Sequence, residues 1–222
     1  MNEEMNNTGG QEKAGASIGI IVIVLVIVAF GIWYFTRGND AVVNEQPEVM
    51  ADEPNIAGHW MSPAPENMGG MYGVRDFTIT DDTWSLVMTA YGDPAGTVKL
   101  FDFRAEGPYT IGEMATTTGT STADLYNAVF EFDTKQLTLY STDPAVVNGF
   151  GFSACNLKVG STTDVSATGC SFIPSVAACG QEYDLVAVTD EGLRLGARPA
   201  DNNMCTEDKR PTALGPVLEK EM

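Results

Sequence analysis

From Ile56 to the C-terminus, short runs in which apolar and polar residues alternate are separated by turn residues about every ten positions, a period that fits strands and not helices. In YGVRDFTIT (72–80), Arg75, Phe77 and Ile79 share one face while Val74, Asp76 and Thr78 take the other. Asp81 and Asp82 turn the chain into TWSLVMTAY (83–91), and DPAG (93–96) turns it again into TVKLFDFRAEG, where Phe101 and Phe103 share a face. DLYNAVFEF and QLTLYS flank a turn predicted at Asp133 to Lys135, and EYDLVAV and LRLGA flank TDEG, a hairpin connection ending in Gly192. DPAVVNGF (143–150), opened by Asp143 and Pro144, is the one helical turn expected. The pattern predicts an all-β domain over residues 56–222, an antiparallel sandwich or barrel.

Ahead of it, the eighteen residues from Ile18 to Phe35 carry no charge. At ~1.5 Å per residue they span about 27 Å, and Ala14 to Ser17 extend them to bilayer thickness. The run is longer than the roughly 7–15 residues of a signal-peptide core, and Lys13 is outnumbered by Glu3, Glu4 and Glu12, so a transmembrane helix over 17–36 is predicted after a short tail (1–16). Trp33, Tyr34 and Arg37 form an interfacial belt. Residues 37–55, mixed acids, Asn and Pro without periodicity, read as a disordered acidic linker.

Lys13 and Arg37 nearly cancel under the positive-inside rule, so orientation falls to the cysteines. All four (Cys155, Cys170, Cys179, Cys205) lie in the C-terminal half with none of the paired spacing of a zinc site. Disulfides outside the cytoplasm are expected, with a cytoplasmic N-terminus and a single pass. Four cysteines allow three connectivities. Symmetry about Thr162 and Thr163, and about Gly192, favours Cys155 with Cys170 and Cys179 with Cys205. Beyond Arg37, ten Lys and Arg face 27 Asp and Glu, a charge that repels nucleic acid.

Catalytic and metal chemistry find no footing in the sequence. His59 is the lone histidine, and with Trp60 turned inward as a structural residue it points out. Asp81 and Asp82 are turn residues, and GFSAC (151–155) has Cys155 where a nucleophile elbow needs glycine. No cofactor, metal ligand or catalytic residue is therefore assigned, and the chain is read as a non-enzyme.

The fragments GHWMS, VRDFTI, TWSLVMTAYGDPAG, AEGPYTIG, DVSATGC, EYDLVAV, LRLGARP and RPTALGPVL resemble, in order and spacing, the adenomatosis polyposis coli down-regulated (APCDD) domain family over about residues 56–218. The resemblance implies a lipocalin-like antiparallel β-barrel able to hold a small apolar ligand. The family's animal members are membrane-anchored inhibitors of Wnt signalling that hold lipid. This chain departs from them: it has one copy of the domain where they have two, its anchor lies at the opposite end, and it lacks cysteines near Ser62 and Ala95. Only the barrel and an apolar ligand carry over.

The predicted function is a membrane-anchored extracytoplasmic barrel binding an apolar or amphiphilic, lipid-like ligand, with a lipid or fatty acid as the candidate; the alternative is a non-enzymatic structural or protein-interaction module of the cell envelope with a filled barrel. A lid over 63–73 with Met68, Met71 and Tyr72, a wall of Phe77, Phe101 and Phe103, and a cationic pair of Arg75 and Lys99 inside the mouth form the predicted ligand site. The aromatic residues either line a pocket or plug it.

Overall fold

A computed structural model describes residues 53–115 and 124–221. The tail, the predicted transmembrane helix and nearly all of the linker lie outside the described residues, among which no helix is long and apolar enough to cross a membrane. The described chain forms eleven strands: β1 (Gly58–Met61), β2 (Glu66–Asn67), β3 (Tyr72–Ile79), β4 (Thr83–Tyr91), β5 (Lys99–Met114), β6 (Tyr126–Glu131), β7 (Thr134–Leu139), β8 (Thr162–Asp164), β9 (Gln181–Thr189), β10 (Gly192–Gly196) and β11 (Leu214–Lys220). Eight of them, in the order β1, β3, β4, β5, β6, β9, β10, β11 and back to β1, close an antiparallel barrel. Closure satisfies every sheet edge within the ring, and β2 and β8 remain as short edges outside it. The all-β fold and the barrel are as expected.

The hairpin predicted at Asp133 to Lys135 does not form. β6 and β7 run in one direction along β5, β6 opposite Tyr109–Met114 and β7 opposite Phe101–Glu106. They are one strand broken by an irregularity at Phe132 and Asp133, where Phe132 N–H turns to Gly180 O and Asp133 N–H to Glu106 O. Beyond the break the strand exchanges β9 for β8 as its second neighbour. Gly107 permits this, because a Cβ there would stand 2.2 Å from the Glu131 carbonyl oxygen. Gly107→Ala should cost about 1–3 kcal/mol, read as a lowered Tm, since the obstacle is backbone and does not yield.

Side chains from the barrel's own strands pack against one another in its interior. Trp84 packs edge-on against Phe130 and Phe132, with centroids 5.3 and 5.4 Å away. Phe77 lies 6.3 Å from Trp84, and Tyr109 stacks on Phe130 at 5.9 Å. The Trp84 indole N–H is shared between Pro108 O and Glu131 O, so this buried polar atom is satisfied at the β6–β7 break.

A second core lies where β4 ends and β5 begins. There the inner-face residues Ala90, Phe101, Leu137 and Leu139 are covered by residues 143–173. This cap opens with the predicted helical turn, α1 (Pro144–Gly149), whose N-cap Asp143 accepts from Ala145 N–H. A 3-10 turn follows (Phe152–Cys155). Phe101, fully buried, meets Phe150 and Phe152 at 5.2 and 5.1 Å.

Both predicted disulfides are present, Cys155–Cys170 and Cys179–Cys205. The first is not a cross-strand pair of a local hairpin: Thr162 and Thr163 sit in β8, which pairs with β7, and Cys155 ends the 3-10 turn. The second joins segments that extend past the ends of the β9–β10 hairpin.

Candidate functional site

The predicted ligand residues are distributed between the two cores. Phe77 belongs to the barrel core, Phe101 to the cap core, and Phe103 packs against both. Met71 also packs on the cap core. Met68 N–H bonds Met71 O, and the Met68 side chain lies over Gly73, where a Cβ would meet its sulfur at 2.5 Å. Tyr72 opens β3 and pairs with Asn67 of β2 and Tyr91 of β4. The 63–73 loop contains a short strand, β2.

Arg75 and Lys99 do not form the expected pair. Arg75 donates from Nε and Nη2 to Glu66 Oε1 at 3.0 and 2.9 Å, and both side chains are only 14% exposed. Ser62 Oγ donates to the same carboxylate oxygen and accepts from Arg75 N–H, which pins β2 to β3. Lys99 lies on the outer face, opposite to Phe101 and Phe103. A β-bulge causes this: Ala90 faces Phe101 but Tyr91 faces Lys99, so β5 carries one extra residue and the alternation breaks. The Lys99 ammonium bonds Asp102 at 3.1 Å and sits 4.4 Å above the Tyr140 ring. Asp102, 1% exposed, also accepts from Thr89 and Tyr140 hydroxyls. Each cation thus has its own carboxylate.

Trp60 is buried, with its indole N–H on Ile56 O at 2.8 Å and the Lys220 ammonium 5.1 Å over its ring. His59 points outward, where Nε2 meets Asp76 Oδ1 at 2.7 Å and both side chains are over a third exposed. No group of three or more metal-ligating side chains occurs among the described residues.

Besides Asp102, two further buried ionisable groups were not predicted. Lys135, 2% exposed, donates to Pro174 O and Cys179 O and lies 4.0 Å over the Phe132 ring, so it ties the cap's exit to β7. Burial pulls its pKa down. Asp184 on β9 accepts from Leu185 N–H and Gly196 N–H through Oδ1, and burial pushes its pKa up to about 7. Beside it the 197–213 loop is bound by arginines: Arg198 clasps both Glu182 carboxylate oxygens, and Arg210 reaches Ala128 O and Asp184 O with its guanidinium over Tyr183. Asp184 shares its alternating face in EYDLVAV with Val186, which offered a signal; nothing local marks Lys135.

At the barrel end where the described chain enters, a groove of about 360 Å³ is lined by Glu53, Pro54, Asn55, Ile56, Asp81, Tyr109, Thr110 and Ile111. Ile56 is buried, and Tyr109 and Ile111 pack on the barrel core, so its floor is the top of that core. The Tyr109 hydroxyl donates to Thr80 O at 2.9 Å. Its pKa is raised by burial first and then by Asp81, Glu53 and Asp82 nearby.

No protein-family model matches this chain, and no curated protein matches it in sequence. Fold and site together define a closed eight-stranded antiparallel β-barrel with a disulfide-locked cap, a class that forms in oxidising compartments.

Proposed function

We propose that this protein is a non-enzymatic interaction module, a barrel whose filled interior is a scaffold and whose surface does the binding, held outside the cytoplasm by the apolar segment at 17–36. The packing of Trp84 against Phe77, Phe130 and Phe132 carries this reading, because these rings take the volume that a barrel-held ligand needs. The pairing of Arg75 with Glu66 and of Lys99 with Asp102 supports it further, since neither cation needs a ligand carboxylate. Lipid or fatty-acid binding is the second reading. It is favoured by barrel size alone, eight strands being enough to hold one small ligand.

We also read the domain as an APCDD-like unit. The fragments that carry the resemblance sit at joints of the fold: Trp60 of GHW in the core, Arg198 and Arg210 of the two RP dipeptides in the loop that closes over β9. A role in Wnt signalling does not come with it.

Native mass spectrometry of the full chain, released from detergent after incubation with oleate, tests the two readings. The bare chain mass is expected. One oleate retained per chain would restore lipid binding and remove the filled-barrel reading.

A further inference from the structure

We infer that the groove between Ile56, Asp81 and Tyr109 docks a basic, partly apolar segment of another protein, a conclusion that rests on the reading of this domain as an interaction module. At about 360 Å³ it is at the small end of the ~300–1,000 Å³ typical of ligand pockets, room for side chains and not for a cofactor. Its floor is apolar and aromatic, contributed by Ile56, Tyr109 and Ile111.

The rim decides the occupant. Glu53 and Asp81 line the groove, and among the described residues neither forms an ion pair. Elsewhere Glu66, Asp102, Glu182, Glu191 and Asp201 are each matched to a lysine or arginine. Asp82 adjoins the groove, and the three carboxylates add to burial, the larger cause, in raising the Tyr109 pKa, which puts their field on the ring. An anionic or neutral guest leaves this field uncompensated. A lysine or arginine brings the missing charge, and its methylene stem, or an apolar neighbour, covers Tyr109 and Ile111. Tyr109 is held by its bond to Thr80 O and its stack on Phe130, so the aromatic floor is preorganised.

The test uses full chain in neutral detergent and a fluorescein-labelled pentapeptide of alternating leucine and lysine, followed by fluorescence anisotropy. The peptide should bind, and Glu53→Gln with Asp81→Asn should weaken it about tenfold, the sum of two exposed charge contacts. Removing two other exposed carboxylates, Asp133→Asn with Asp208→Asn, should change affinity less than about twofold by the same reasoning. Circular dichroism of both double variants should match the parent. An equal loss in both pairs would assign binding to the net charge of the domain and overturn the site. Unchanged affinity of a peptide with acetylated lysines, or no binding by the parent, would overturn it as well. Oleate retention is the separate test of the filled barrel, so the two readings fail on different measurements.

Discussion

Replacing Cys179 and Cys205 by alanine should lower the stability of the domain by about 3.5 kcal/mol, the loop-entropy cost of freeing 26 residues. For Cys155 and Cys170, separated by 15 residues, the same reasoning gives about 3 kcal/mol. Marginal domains have about 5–15 kcal/mol in total, so losing both bridges takes a large share of it. The two removals should differ in kind. Cys155–Cys170 holds the cap that covers Phe101, and its loss should expose Phe101 and Phe152, both buried in the intact fold, read as increased binding of an apolar dye. Cys179–Cys205 joins the cap's exit, which Lys135 holds, to the loop bound by Arg198 and Arg210, so its loss should free that loop. Denaturation of each variant in guanidinium, followed by near-ultraviolet circular dichroism, measures the energies. Midpoints equal to the parent's would show that these bridges add nothing.

Stability should also fall as pH rises from about 4 to 7, because of Asp184. Its folded pKa of about 7 lies above the ordinary 3.8, so the folded state keeps a proton that the unfolded chain has released over that interval. The contribution is complete below pH 4, lost progressively through neutrality, and absent above. Its ceiling is ~4 kcal/mol, from the size of the rise. Asp93, Asp164 and Asp201 act in the opposite sense and in a different window. Hydrogen bonds from Val98, Ser166 and Lys209 hold their pKa values below 3.8, so their contribution is lost only as pH falls below about 4. Asp184→Asn keeps an oxygen acceptor for Leu185 and Gly196 N–H without a charge to bury. The variant should therefore be more stable than the parent at pH 8 and nearly equal at pH 5. Parallel pH profiles for the two proteins would refute the assignment.

Alternation along β3, β4 and β9, turn chemistry at Asp81, Asp93 and Gly192, and the capped start of α1 were all legible in the sequence, because each is set by residues within a few positions of one another. Local pattern misled wherever a strand was irregular. The bulge at Leu100 moves Lys99 to the outer face, and a period-two reading has no means of seeing one inserted residue. At Asp133 a break within a strand has the same composition as a turn between two, and the difference depends on Gly107 of the neighbouring strand. The disulfide pairing was reached from hairpin symmetry, yet Cys155 and Cys170 meet because the cap folds over Phe101.

By itself, then, the sequence determined that this chain builds an antiparallel β domain with oxidised cysteines and an acidic surface, since period, turn residues, cysteine spacing and charge are properties of the chain read in order. Only the tertiary structure decided that Trp84 meets Phe77, Phe130 and Phe132 inside the barrel, that Arg75 and Lys99 are each neutralised, and that Glu53 and Asp81 border a groove beside Tyr109. Each of those depends on which side chains from distant strands meet: Trp84 with Phe130, Arg75 with Glu66 across the β2–β3 turn, Asp81 with Ile56 and Tyr109 at the barrel rim. Whether an inward-facing aromatic lines a cavity or fills it is a matter of volume, and volume is shared among strands that no local pattern relates.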